Sequence, residues 1–176
     1  MKKIVLLFLA FCQIINAQNS TPCKTSVTLD YEYEGYLELY NEESASYSFA
    51  RVRNNVQDDE YLEIEITECS SSRFKVNIHM QSIGLPFRME NVYIKKEHLI
   101  TLARAIDYPM PLYSHPSLSS KIVASIEDSY GYKYDVLDCY NDWLKVTFVD
   151  DKNQRHTGWM AKKYQCPNVY NACMGG

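Results

Sequence analysis

The stretch YLEIEITE, residues 61–68, places Leu62, Ile64 and Ile66 at every second position, with Tyr61, Glu63 and Glu65 between them. RFKVNI repeats the pattern with Phe74, Val76 and Ile78 against Arg73, Lys75 and Asn77. WLKVTF repeats it again with Leu144, Val146 and Phe148 on the apolar side. A period of two is the side-chain period of a β-strand, and this alternation marks strands with one face buried and one wet. LDYEYEGYLELY reads the same way, with Leu29, Tyr31 and Tyr33 alternating with acids and Leu37 and Leu39 flanking Glu38. Polar turns separate the runs at Ser70–Ser72, Tyr140–Asp142 and Asp150–His156. The 15 tyrosines suit pleated, half-buried surfaces. The expected class is all-β, built as a small barrel or sandwich from short strands.

One segment does not alternate. HLITLARAI sets Leu99, Leu102, Ala103 and Ile106 at helical spacing. The β-rich surroundings and the following Pro109 and Pro111 favour an extended segment or one short helical turn. Both readings stay open from the sequence, and the segment marks the expected domain boundary.

ITECSSSRFKVNI (66–78) can be laid over VLDCYNDWLKVTF (136–148). Cys69 then falls on Cys139, Lys75 on Lys145 and Val76 on Val146, and Glu68 meets Asp138. Upstream, Leu39-Tyr40 matches Leu112-Tyr113. Downstream, VYIKK from Val92 matches GWMAK from Gly158. Three blocks in the same order, with offsets of 70, 73 and 66, point to two copies of one unit separated by loop-length changes.

The second copy resembles the bacterial SH3 (SH3b) domain family over residues 108–167. The matching positions are Pro116 and Ser117, Val136, Trp143, Val146, the Gly158-Trp159 pair and Tyr164. The first copy, 27–100, is divergent: Arg73 stands where the Trp would be, and Val92-Tyr93 stand where Gly-Trp would be. The resemblance implies two tandem small SH3-like β-barrels, followed by a tail at 168–176. It also implies a non-catalytic binding role in the cell envelope. The implied partner is cell-wall peptide or glycan, or an envelope protein.

The leader supports export. Lys2 and Lys3 precede a mostly apolar run from Ile4 to Ile15, and Asn16-Ala17 offers a small-residue cleavage site. The run is short for a membrane span, which needs about 20 apolar residues. The expectation is a signal peptide over 1–17, cleaved after Ala17, no stable membrane span, and a secreted or periplasmic protein. Cys12 follows Phe11, where a lipid-attachment motif has a small residue, so cleavage is preferred over lipidation.

The chain carries 18 Lys and Arg against 22 Asp and Glu. Two of the lysines lie in the leader, so the remainder is more acidic still. Such a balance argues against nucleic acid as a partner. Acids dominate from Asp30 to Glu68, where only Arg51 and Arg53 are basic. That bias motivates the alternative role of an inhibitor or immunity-type protein blocking an envelope enzyme, although solvated strand faces give the same composition.

Past the leader five cysteines remain: Cys23, Cys69, Cys139, Cys166 and Cys173. Asp138-Cys139 resembles the nucleophile context of the NlpC/P60 peptidases that often accompany bacterial SH3 domains. Yet Cys139 ends a strand before a hairpin turn, and Cys69 occupies the same place in the repeat. Nucleophilic cysteines sit instead beside a helix N-terminus or a His. The chain is expected not to be an enzyme, and Cys139 to be a disulfide partner or a buried thiol. Cys166 and Cys173 are the expected local bridge, with Cys139 or Cys23 as the competing partners of either. No C-x-x-C or paired His suggests a metal, and no cofactor is expected. The aromatic residues of the second copy carry the functional hint, because such side chains bind extended peptides and stack on sugars. Trp143 lies on the face opposite Leu144, Val146 and Phe148. With Tyr132 and Tyr113 it is the expected ligand contact.

Overall fold

The computed structural model describes residues 20–54, 61–80, 87–104, 109–127, 132–167 and 173, and these are almost wholly β. In chain order the strands are β1 (Thr21–Leu29), β2 (Leu37–Leu39), β3 (Ala50–Val52), β4 (Glu63–Cys69), β5 (Arg73–Met80), β6 (Phe87–Lys95) and β7 (Leu99–Ala103). They continue with β8 (Met110–Tyr113), β9 (Ile122–Ile126), β10 (Lys133–Tyr140), β11 (Trp143–Val149), β12 (Arg155–Met160) and β13 (Gln165–Cys166). The all-β class is as the alternation requires. Leu62, Ile64, Ile66, Phe74, Val76, Ile78, Leu144, Val146 and Phe148 are all buried in one core. Their polar alternates face outward.

One antiparallel path runs β6-β5-β4-β1-β7-β10-β11-β12-β8-β9, and β13 joins it at β7. Each half has the same plan. The meander β4-β5-β6 is flanked by β1 on one side and reaches β2 on the other, through the Tyr40–Tyr93 bridge. The meander β10-β11-β12 is flanked by β7 and reaches β8 through the Trp159–Tyr113 pair. The hydrogen-bonded path is continuous through β1-β7-β10, so the two halves meet edge to edge in one sheet.

The register repeats to the residue. Ile66 pairs with Val76, Glu68 with Lys75 and Cys69 with Phe74, with a bulge between Ile66 and Glu68. Val136 pairs with Val146, Asp138 with Lys145 and Cys139 with Leu144, with a bulge between Val136 and Asp138. One extra residue in the same place of both hairpins turns Glu68 and Asp138 outward and Cys69 and Cys139 inward. The next ladder agrees as well: Phe74 pairs with Ile94 and Lys75 with Tyr93, as Leu144 pairs with Met160 and Lys145 with Trp159.

The ambiguous segment is strand β7. It lies between β1 and β10, and four of its five residues are buried. A central strand covered on both faces has no polar alternation, which is why its apolar residues mimicked helical spacing. Ile106 lies outside the described residues.

LDYEYEGYLELY is not a single strand. β1 ends at Leu29, and Asp30 to Tyr36 form a turn. The Asp30 carboxylate accepts the Glu32 N–H at 3.0 Å, and the Asp30 carbonyl accepts the Tyr33 N–H at 3.0 Å. The Tyr33 ring stacks on His98 at 3.7 Å. A Cβ at Gly35 would stand 2.3 Å from that ring, so a side chain there would push Tyr33 off His98.

A disulfide joins Cys166 to Cys173, closing the local loop expected for the tail. A second joins Cys23 at the start of β1 to Cys139 at the end of β10. Cys69 is buried and unbridged.

Candidate functional site

The outward face of β8-β12-β11 gathers the aromatic residues. Trp159 lies across from Tyr113 on one side and from Lys145 on the other. Trp143 is two residues from Lys145 on the same strand face, and Tyr140 is opposite Trp143. Trp143 meets Tyr113 edge to face, with ring centroids 5.5 Å apart. That geometry puts the positive ring edge on the negative face of its partner. Trp143 and Trp159 are half-buried, Tyr113 is buried beneath them and Tyr140 is exposed. The platform is therefore held by packing, with surface left for a ligand.

Local sequence explains the placement. Asn141-Asp142 is a two-residue hairpin loop, and Asn141 takes a left-handed φ of 52°, a conformation asparagine tolerates. At Gly158 an added Cβ would lie 2.8 Å from Leu112 Cβ and 2.9 Å from Val123 Cγ2. Glycine is what lets β12 approach β8 and sets Trp159 against Tyr113.

The first half presents the same frame with different chemistry. Arg73 takes the position of Trp143, Tyr93 that of Trp159 and Tyr40 that of Tyr113. The Arg73 guanidinium lies 3.6 Å from the centroid of the Tyr40 ring and donates to the carbonyls of Glu42 and Ala45. A shallow polar depression of about 140 Å³ opens there, lined by Glu68, Arg73, Lys75 and Tyr93 among others.

The two faces differ most at their lysines. Lys75 is neutralised by Glu68 at 2.9 Å. The equivalent acid, Asp138, turns away from Lys145 to Lys96 Nζ at 3.0 Å and accepts the Cys69 thiol at 2.5 Å. Among the described residues Lys145 makes no ion pair. The second-half platform thus offers a cation beside aromatic rings, and the first-half one an internally balanced pair.

Burial works against the Asp138 carboxylate. The Cys69 thiol, the Lys96 ammonium and the Cys139 N–H outweigh it and hold the pKa below the ordinary carboxylate value. A carboxyl whose folded pKa is depressed adds stability that is complete above its unfolded value, near 3.9, and is lost as pH falls through the folded one. Asp138→Asn is accordingly expected to flatten the acid limb of the stability curve below about pH 4. Thermal midpoints measured from neutral pH downwards check this, and parallel wild-type and variant curves would refute it.

Tyr132 is not part of the platform. It packs on Phe148 with centroids 5.4 Å apart, and its hydroxyl bonds to Asp151. Phe148 is five residues along β11 from Trp143, roughly 16 Å at strand rise. Of the three expected contacts, Trp143 and Tyr113 touch and Tyr132 stands at the other end of the ladder. Trp159, Lys145 and Tyr140 are not among the contacts expected from the sequence; the pairing of Trp159 with Lys145 puts it on the outer face.

The Cys139 sulfur is bonded to Cys23. Among the described residues no group of His, Cys, Asp and Glu side chains could hold a metal, and no helix is long and apolar enough to cross a membrane. No protein-family model matches the chain, and a search of curated proteins gives no match.

Proposed function

We propose that the chain is an exported, non-catalytic binding protein of two SH3-like modules that holds cell-wall glycan or its peptide through the Trp143 platform. The observation that carries this reading is the half-buried Trp143, seated edge-on against Tyr113, with Trp159 and the unpaired Lys145 on the same face. Aromatic rings stack on the apolar faces of sugars, and a lone ammonium complements a carboxylate. Tyr132, packed on Phe148 of the inward face at the far end of the ladder, stands outside this contact. The two disulfides are compatible with an oxidising, extracytoplasmic compartment. The apolar leader fits a signal peptide removed after Ala17, which would leave the protein secreted or periplasmic.

Retention on purified peptidoglycan tests the reading. Trp143→Ala is expected to weaken binding about tenfold or more, as buried aromatic anchors do. Tyr132→Ala is expected to leave binding unchanged. Absence of retention by wild type, or full retention by Trp143→Ala, would remove the platform from consideration.

A different surface favours the inhibitor or immunity-type reading. Tyr47 and Phe49 are exposed on the β2–β3 loop, close in sequence to Glu42 and Glu43. Glu63 and Glu65 are exposed along β4. Acidic and aromatic surface together suits a basic protein partner. That association should weaken steeply with salt and with Glu63→Gln/Glu65→Gln, and a salt-independent complex would count against it.

A further inference from the structure

Cys23 sits between two equivalent cysteines. Thr21, two residues before it, pairs with Cys69 across the β1–β4 ladder. Cys23 itself bridges to Asn141, just past Cys139, while Asn141 N–H donates to the Pro22 carbonyl at 2.8 Å. Cys69 and Cys139 hold the same place in their hairpins, each at the end of a bulged strand. The bridge goes to Cys139, and Cys69 keeps its thiol. That thiol lies beside the residues that carry the bridge. It donates to Asp138 Oδ1, which also accepts the Cys139 N–H at 3.0 Å, and Lys96 Nζ donates to its sulfur at 3.0 Å. The Cys139 N–H itself interacts with the Cys69 sulfur.

We propose that Cys69 is the resolving thiol of an internal thiol–disulfide exchange that trades the Cys23–Cys139 bridge for Cys23–Cys69. Cys69 loses its proton to hydroxide, and its thiolate, held by the Lys96 ammonium, attacks the Cys23 sulfur. The Cys23–Cys139 bond breaks and Cys139 leaves as a thiolate that takes up a proton from water. One S–S bond forms and one breaks, so no oxidant or reductant is consumed. The step needs no outside thiol, which suits a cysteine only 4 % exposed.

The consequence is mechanical. In the Cys23–Cys139 form the staple ties β1 of the first half to the β10–β11 hairpin that carries Tyr140 and Trp143. In the Cys23–Cys69 form it lies wholly within the first half and leaves that hairpin held to β1 by hydrogen bonds alone. Burial and the Asp138 contact push the Cys69 thiol up, against the pull of Lys96. Exchange is therefore slow at neutral pH and quickens as pH rises past the ordinary thiol value of about 8.5.

Peptide mapping after acid quench and alkylation tests the proposal without any assumption about ligand. Wild type held near pH 9, around the ordinary thiol pKa, is expected to accumulate peptides linking Cys23 to Cys69 with Cys139 alkylated. The rate should be independent of protein concentration and fall in Lys96→Met. Cys139→Ser, refolded under oxidising conditions, is expected to contain Cys23–Cys69 and no alkylatable Cys23. If wild type shows only Cys23–Cys139 with alkylated Cys69 at every pH, the proposal is overturned. A rate that rises in proportion to protein concentration would also overturn it, because exchange would then be between molecules.

Discussion

Replacing Cys23 and Cys139 together by serine is expected to lower the unfolding free energy by about 4–5 kcal/mol. The bridged residues are 116 apart in sequence, so the cross-link closes most of the folded chain into a loop. Cutting a loop of that length releases far more denatured-chain entropy than cutting the Cys166–Cys173 loop, whose ends are 7 apart. Denaturant titration separates this from simple loss of packing. The unlinked denatured state is more open, so the midpoint should fall and the slope with denaturant should rise. A loss below about 1 kcal/mol would mean that the unbridged chain already holds its two halves together. Because β1 pairs with both β4 and β7, the prediction tests how much cooperativity the shared sheet supplies by itself.

The meanders were readable because each of their strands has one wet face. Leu62, Ile64 and Ile66, and Leu144, Val146 and Phe148, carry their direction in the alternation itself. β7 was not readable for the opposite reason: a strand enclosed by β1 and β10 on its edges, and covered above and below, loses the polar alternate. TPCKTSVTL hid β1 because its polar residues, apart from Lys24, are three threonines and a serine, and two of the threonines are buried. Thr25 and Thr28 satisfy their hydroxyls inside the protein, Thr28 on the Leu62 carbonyl at 2.9 Å. LDYEYEG overshot because the alternation continued past Leu29 while the Asp30 side chain captured the chain into a turn. Periodicity sees side chains, and it does not see which backbone groups have found another partner.

The repeat was legible in three blocks of sequence, and the register shows why those blocks aligned. Offsets of 70, 73 and 66 are the distances between residues at equivalent positions: Lys75 and Lys145, Tyr40 and Tyr113, Tyr93 and Trp159. The candidate site followed less completely. Trp143 could be placed on the outer face from alternation alone. Its partnership with Trp159 and Tyr113 depends on β12 lying between β11 and β8, an order that no local pattern encodes. The same limit governed Cys139. The hairpin position was visible in the sequence, but the bond to Cys23 arises because β1 threads between the ends of two hairpins from different halves.

Gln165→Leu is expected to cost about 3 kcal/mol although it conserves side-chain volume, because it strips two buried polar groups, the Thr25 hydroxyl and the Met160 carbonyl, and the half-buried Asp142 carbonyl of this partner at once. Gln165 is 5 % exposed in the short strand β13. Its amide donates to the carbonyls of Asp142 at 2.9 Å and Met160 at 3.1 Å, and its oxygen accepts the Thr25 hydroxyl. One side chain thus ties β1, the β10–β11 hairpin loop and the end of β12 to the last strand of the sheet. Leucine fits the space but offers nothing to any of them, and an orphaned buried donor or acceptor costs about 1–3 kcal/mol. For a chain of this size the midpoint of thermal unfolding should drop by roughly 6–12 °C. Thr25→Val in the same background should recover part of the loss, since it removes the stranded hydroxyl; the two substitutions should therefore combine to less than their sum. Strict additivity would place Thr25 and Gln165 in separate networks. The Asp142 carbonyl precedes Trp143 directly, so the variant should also bind cell-wall ligand more weakly at temperatures where it is fully folded. Unchanged affinity there would mean that the Tyr113 contact alone holds the indole in place.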